Sequence, residues 1–380
     1  MSVTDLRPLR IPTSGGRAYA VHFAPLDRVS DLAVRAGLGP GPCLILTDDH
    51  VAELHLDALA DGLAEAGWRP ATHIFPHGEA SKSLKAYGKI LDWTLASGAT
   101  RSTPIFALGG GVVGDLAGFV AATALRGLPL VHIPTTVVAQ VDSALGGKTG
   151  INHPEGKNLI GSFYPPRLVV SDWRTLQTLF KSEVRAGCAE VVKHALVADR
   201  KLARKLYEHL PALLNLDEQL APELLREAAN VKATIVAEDE REAGKRALLN
   251  FGHTFGHAIE REAGYGTILH GEAVALGMRA ALHLSASLAT GETRSPDDIL
   301  PDDFSDADYL IRNLRIPTVL NGLDTSALMQ AMQTDKKRDA SGLRFVVLDR
   351  IGEGRIVPDV PLEKVEAAWA YARRVGASGE

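Results

Sequence analysis

The run Pro104-Ile105-Phe106-Ala107-Leu108-Gly109-Gly110-Gly111-Val112-Val113-Gly114-Asp115 decides the fold. An apolar segment ends on three consecutive glycines, and a helical pattern opens directly behind them. A strand, a tight turn and a helix in succession form the repeating unit of an α/β domain. The glycines also fit GxGxxG, in which bare backbone lets N–H groups approach a pyrophosphate at a helix N-terminus. A tight strand-to-helix turn needs such glycines too, so the run alone leaves both readings open. The acid that a dinucleotide site places about 20 residues further on is missing, because that region reads Leu128-Pro129-Leu130-Val131. Asp48, after one apolar run, and Glu79, in Gly78-Glu79-Ala80-Ser81-Lys82, are the candidates to replace it. Each could equally be a helix N-cap.

Outward from this run the same rhythm continues. Ala18–Phe23, Cys43–Thr47, Thr72–Phe75, Pro104–Leu108, Leu130–Ile133 and Leu168–Val170 read as short strands, with helical patterns such as Val51–Ala66 and Leu84–Ala96 between them. Strands that are apolar without strict alternation belong to a largely parallel sheet covered on both faces. After about Asp172 the pattern changes. Glu183–Asp199, Leu202–Leu214, Pro222–Val236, Gly256–Ala263 and Glu272–Leu288 carry apolar residues at helical spacing. Two domains are therefore expected: residues 1–172 as α/β and 173–380 as mainly helical. Thr290–Asp306 reads as a loop, and Phe345–Leu348 with Arg355–Val357 as a late hairpin before a final amphipathic helix.

Composition narrows the class. With 380 residues, 46% apolar and 23% charged, the chain has the make-up of a globular protein of more than one core. A net charge of -5 speaks against a nucleic-acid partner, so any polyanion site must be a local cluster of cations. The N-terminus lacks an apolar signal region, and no run of about 18 apolar residues marks a membrane span. Cys43 and Cys188 sit in separate apolar stretches and read as two buried thiols of a cytoplasmic protein.

Three further segments carry chemistry. Val141–Asn152, continuing to Lys157-Asn158, holds four glycines and two lysines and reads as a flexible polar loop suited to a phosphate. Glu190 and Lys193 are i, i+3 neighbours on one helical face, set among Ala and Val where unpaired charge is costly. His253 and His257 stand four apart on one helical face, and His270 opens the next helix. Three His or carboxylate ligands with one open position are the usual make-up of a catalytic zinc site. The Glu that an HExxH metalloprotease requires is absent.

Taken together, GGGVVGDLAGF, IPTTVVAQVDSALGGKTGINHPEGKN, AGCAEVVKHAL, DEREAGKRALLNFGHTFGHAIE, LHGEAVALGM and DKK resemble the 3-dehydroquinate synthase family of sugar phosphate cyclases, in the same order from about Cys43 to Ile351. The resemblance implies a Rossmann-like NAD-binding α/β domain, an all-α C-terminal domain binding metal and substrate, and a homodimer. It places Glu190, His253 and His270 at the metal positions, with zinc expected and cobalt as the alternative. It places Asp48, Glu79, Lys82, Gly110, Gly111, Val112, Asp115, Thr135, Thr136, Lys157, Thr175 and Thr178 against NAD. Asp142, Lys148, Asn158, Lys193, Lys232, Arg246, Asn250, His257 and one of Lys336 and Lys337 match substrate positions, and Arg126 matches an arginine that reaches the neighbouring subunit's site. Glu242, His257 and Lys193 match catalytic positions, the first two for proton transfer.

The implied substrate, 3-deoxy-D-arabino-heptulosonate 7-phosphate, carries a carboxylate and a phosphate, which several separate cations would suit. An arginine fork fits a planar carboxylate and a lysine a phosphate. Two alternatives remain open. Another sugar phosphate cyclase, making 2-deoxy-scyllo-inosose or a valiolone, would take a substrate without the carboxylate. A metal-dependent polyol dehydrogenase would show net NADH production.

Overall fold

The strand–glycine–helix run lies inside a seven-stranded sheet in the computed structural model, which describes residues 6–264, 266–291, 301–317, 322–336 and 343–377. The sheet's strands are β1 (Leu9–Pro12), β2 (Ala18–Phe23), β3 (Pro42–Asp48), β4 (Arg69–Phe75), β5 (Ile105–Gly109), β6 (Leu130–Pro134) and β9 (Leu168–Ser171), while β7 (Lys148–His153) and β8 (Gly156–Phe163) form a separate two-stranded sheet. The sheet order is β1-β2-β9-β6-β5-β3-β4, parallel except for the antiparallel pair β1–β2. All six strands expected from the sequence are present. Their unbroken apolar runs follow from burial on both faces: Ile45, Phe106, Leu108, Val131 and Ile133 enter one core, and Leu44, Leu46, Ile105, Ala107 and Leu130 the other.

Three expectations are corrected. The strand β1 was not expected: it is four residues long, lies at the sheet edge and ends on Pro12, so it offers little pattern to read. The segment read as a flexible loop is a π-helical turn, Ala139–Ser143, followed by the antiparallel hairpin β7–β8. Its glycines serve close packing. A Cβ on Gly150 would lie 2.7 Å from the Ile160 carbonyl oxygen, and one on Gly161 would lie 2.2 Å from that of Thr149. The third correction concerns the domain division. The chain forms two compact units, Met1–Leu179 with Ala221–Arg241, and Phe180–Leu220 with Glu242–Glu380. The helix Ala221–Glu238, expected in the helical domain, belongs to the first unit, where its Ala229, Ala233 and Val236 pack with Leu9, Ile11, Tyr19, Val21 and Leu145. Periodicity shows that a helix has an apolar face; what covers that face is decided by the rest of the fold.

One core residue of the first unit gives a pH-dependent prediction. His132 is buried in β6, facing Gly114 of the helix Gly111–Thr123, and desolvation pushes its imidazole down from 6.5 to about 4. Its neutral form is favoured on folding, so its contribution is complete above 6.5 and is lost as pH falls through the folded value. The gap is worth roughly 3 kcal/mol. Between pH 7 and pH 4 the unfolding free energy of the wild type should therefore fall by about that much more than that of His132→Gln. Urea titrations at the two pH values check this, and equal losses in the two proteins would refute it.

The second unit is built from the helices Lys181–Ala198, Arg200–Leu214, His253–Ala263, His270–Thr290, Asp302–Asn313, Thr325–Lys336 and Leu362–Ala377, with an antiparallel hairpin of β10 (Arg344–Arg350) and β11 (Glu353–Pro358). The hairpin and the final helix are as expected. The helix at His253 begins three residues before the apolar pattern does, because Gly252, at φ +81°, turns the chain into it. The expected loop Thr290–Asp306 does not extend to its read end, since Asp302–Asp306 open the helix Asp302–Asn313. Its residues 292–300 and Lys337 lie outside the described residues, as does the side chain of Lys336. Cys43 and Cys188 are both free and buried. No helix among the described residues is long and apolar enough to cross a membrane.

Candidate active site

In the second unit, glycines bring three helices close enough for their polar side chains to meet. A Cβ on Gly271 would lie 1.8 Å from the carbonyl oxygen of Ala186, so the start of helix His270–Thr290 rests on the backbone of helix Lys181–Ala198. A Cβ on Gly277 would lie 2.1 Å from the Gly252 carbonyl oxygen, and one on Gly256 would lie 3.1 Å from that of Ala273. These contacts set helix His253–Ala263 against helix His270–Thr290. Hence Glu190, in the middle of the first of these helices, meets His253 and His270, each the first residue of its own helix.

The geometry is that of a ligand set. Glu190 Oε1 is 3.8 Å from His253 Nε2 and 3.6 Å from His270 Nε2, and one donor atom from each residue lies within 4.8 Å of the others. The other carboxylate oxygen of Glu190 pairs with Lys193, and both residues are fully buried, so the i, i+3 ion pair is interior. Burial, followed by the Lys193 charge, holds His253 well below its ordinary value, as a neutral imidazole with a lone pair to give. Desolvation alone would lower His270 too, but hydrogen bonds to Glu190 and to Glu260 override it and lift it to about 9. His257, on the same face as His253, keeps an exposed imidazole with its ring 5.5 Å from that of His253. It belongs to the cluster without being one of the three converging donors.

Nearby in the chain, Glu242 takes up left-handed backbone at φ +58° and accepts a hydrogen bond from Asn250 Nδ2 at 2.9 Å. Arg246, between them in sequence, is buried. Of the residues matched above to substrate positions, Lys193, Arg246, Asn250 and His257 belong to this unit, and Lys232 belongs to the first.

In the first unit Lys232 projects from helix Ala221–Glu238 and pairs with Asp142 in the π-helical turn. A second polar network surrounds Lys82. Its Nζ donates to Asp115 Oδ2 at 2.7 Å and to Asn158 Oδ1 at 2.6 Å, and lies 3.8 Å from Glu79 Oε1. Four residues singled out in the sequence thus come together. Asn152, which was not singled out, links them: its Nδ2 donates to Glu79 at 2.7 Å and its Oδ1 accepts from the Asn158 N–H at 2.9 Å. Its place within NHPEGKN was visible, but its partner Glu79 lies 73 residues away. Lys148 and Asn158 are exposed, and Lys157 is partly so.

Gly110 caps helix Gly111–Thr123, where a Cβ would meet the Thr136 side chain at 3.0 Å. Val112 lies in the first turn of that helix. Thr135 Oγ1 is buried without a hydrogen-bond partner among the described residues, at the end of β6. The remaining hydroxyls are all engaged: Thr136 accepts from the Ala139 N–H, Thr175 donates to the Asp172 carbonyl and accepts from Gln140 Nε2, and Thr178 donates to the Thr175 carbonyl and meets His55 Nε2 at 3.2 Å. Asp48 Oδ1 accepts from the Val51 N–H, so the N-cap alternative is realised there. Arg126 is exposed at the end of a turn in which it and Leu125 both take left-handed backbone, at φ +67° and +51°. Such a conformation costs about 1–2 kcal/mol per residue.

Comparison with known proteins covers residues of both units, with a single boundary at 186/187 in place of the interleaved division. Residues 72–186 match the family model of the 3-dehydroquinate synthase N-terminal region, and residues 187–338 that of the C-terminal region. The 3-dehydroquinate synthase of Salinibacter ruber is 46% identical over 357 residues, which cover 94% of this chain and 95% of that protein. Among solved structures, ValA, the 2-epi-5-epi-valiolone synthase of Streptomyces hygroscopicus with NAD+ and Zn2+ bound, superposes with a TM-score of 0.85 at 27% identity, covering 97% of this chain and 100% of that one. A 2-deoxy-scyllo-inosose synthase complexed with carbaglucose-6-phosphate, NAD+ and Co2+ gives a TM-score of 0.83 at 26% identity, covering 96% and 100%.

Proposed function

The chain belongs to the 3-dehydroquinate synthase family, and from that premise we propose that it converts 3-deoxy-D-arabino-heptulosonate 7-phosphate to 3-dehydroquinate and inorganic phosphate, a phosphate-eliminating cyclisation that uses NAD and a divalent metal. The observation that carries the proposal is the convergence of Glu190, His253 and His270. One carboxylate and two imidazoles fit zinc or cobalt and leave a coordination position for substrate. On the NAD side, the bare backbone at Gly110, the orphaned Thr135 hydroxyl and the Glu79–Lys82–Asp115 network fit a polyhydroxylated dinucleotide.

When bound, the metal would supply Lewis-acid polarisation of neighbouring hydroxyls, and NAD+ would supply a reversible hydride acceptor with no net redox change. The protein's residues do the rest. Glu190, His253 and His270 hold the metal, and Lys193 balances the charge of Glu190. Arg246, with Asn250, receives the substrate carboxylate, the guanidinium as a planar fork, and Lys232 is a further cation for the substrate. Lys148 and Asn158 receive the phosphate, which departs as inorganic phosphate after the adjacent C–H is acidified. His257, exposed beside His253, and Glu242, oriented by Asn250, move protons to and from the substrate. Arg126 completes the neighbouring subunit's site in a homodimer, and its two-residue left-handed turn supports a defined reach.

The solved relatives that act on other sugar phosphates make substrate choice the decisive test. Purified protein should release phosphate from the heptulosonate phosphate, should lose that activity with chelator or when stripped of NAD, and should regain it when each is restored. Cyclisation of glucose 6-phosphate or sedoheptulose 7-phosphate in its place would reject the proposal, as would net NADH production from a polyol.

A further inference from the structure

Each histidine of the metal centre has a second ring nitrogen, and the structure provides both with an outer partner. His253 Nδ1 lies 3.4 Å from the Phe251 carbonyl oxygen, and His270 Nδ1 lies 3.4 Å from Glu260 Oε2. The two partners differ in kind. A backbone carbonyl is fixed by the chain, whereas Glu260 is a carboxylate that is only 5% exposed, in a position where an apolar residue would avoid the cost of desolvation. Its placement follows from helix geometry. His253, His257 and Glu260 stand at i, i+4 and i+7 in helix His253–Ala263 and share one face. Helix His270–Thr290 returns across that face and brings its first residue onto Glu260.

His270 needs such a partner more than His253 does. Its side chain is 38% exposed against 11% for His253, so packing does less to fix its ring. The imidazole is instead strung between two carboxylates, with Nε2 toward Glu190 and Nδ1 toward Glu260. An acceptor at Nδ1 keeps the proton on that nitrogen and directs the Nε2 lone pair to the ligand set. Carboxylate partners of this kind orient metal-bound histidines and raise their basicity.

We infer that Glu260 is a positioning residue for the metal centre, holding His270 in the tautomer and orientation that bind the ion. The inference rests on the proposed metal site at Glu190, His253 and His270, and the test separates the two. Metal-free wild-type, Glu260→Gln and Glu260→Leu proteins are titrated with Co2+ against a competing chelator, recording the dissociation constant and the visible spectrum of the bound ion. Thermal melting of each metal-free protein is measured alongside. Glu260→Leu is expected to bind about 10- to 100-fold more weakly with a changed cobalt spectrum. Glu260→Gln, which keeps the shape and one acceptor oxygen, should recover part of that loss. Both should melt near the wild type when metal-free. Wild-type affinity in Glu260→Gln and Glu260→Leu would overturn the inference and leave the metal site standing, as would a loss matched by metal-free unfolding in both. Should Glu260→Leu fail to fold, Glu260→Gln alone decides, with an unchanged constant and spectrum counting against. A wild type that takes up no Co2+ would overturn the metal site, and the role of Glu260 with it.

Discussion

Alanine in place of His270 is expected to abolish phosphate release and to strip the protein of its metal. The three donors Glu190, His253 and His270 lie within 4.8 Å of one another, and no fourth His, Cys, Asp or Glu joins that group among the described residues. Removing one of three ligands should forfeit on the order of 3–5 kcal/mol of binding, or about a thousandfold in affinity. Dialysis at micromolar protein would then leave the site largely metal-free. The fold should persist, since His270 is part-exposed at the first position of its helix and fills no core cavity. Metal analysis after dialysis, with phosphate release measured in parallel, checks both consequences. Full activity with stoichiometric metal in the His270→Ala protein would remove these residues as the metal centre.

A single methyl group at position 271 should do nearly as much damage by a different route. The Cβ of Gly271→Ala would sit 1.8 Å from the carbonyl oxygen of Ala186 and 2.4 Å from its carbon. Both are backbone atoms, and no rotamer change relieves the clash. The start of helix His270–Thr290 must move away by an ångström or more, taking His270 with it and away from Glu190. Misplacement of about 1 Å at a reacting centre can cost a hundredfold in rate, and overpacking destabilises by about 1–3 kcal/mol. Gly88→Ala is the control: it lies in helix Leu84–Ala96 with nothing within 4 Å of the added Cβ, and should be neutral or stabilising by about 0.5–1 kcal/mol. Activity and metal content near the wild type in Gly271→Ala would show that close helix contact is not what positions the ligand.

How far these features were legible in the sequence depends on the distance over which their cause acts. The doubly buried strands of the first unit announce themselves, because burial on both faces demands a local run of apolar residues whatever the neighbours are. The helices of the second unit are equally legible, since one covered face imposes a 3.6-residue period. The pairing of Glu190 with Lys193, and of His253 with His257 on a shared face, likewise follows from helix geometry within four residues.

Other features depend on partners remote in the chain. The glycines of β7–β8 read as flexibility, whereas what requires them is the opposing strand at carbonyl distance. Lys232 sits in a recognisable helix, but that helix packs with β1 and β2 of the first unit, and its pairing with Asp142 joins residues 90 apart. Asn152 reaches Glu79 across 73 residues. The proposed metal cluster itself divides along the same line. The sequence by itself determined that two histidines share a helical face and that a third opens the next helix. Only the tertiary structure decided that His253 and His270 converge with Glu190 while His257 stays exposed, because that depends on where one helix crosses another. The crossing is set by close contacts at Gly252, Gly256, Gly271 and Gly277, and a backbone approach of that kind leaves no local period for a sequence to display.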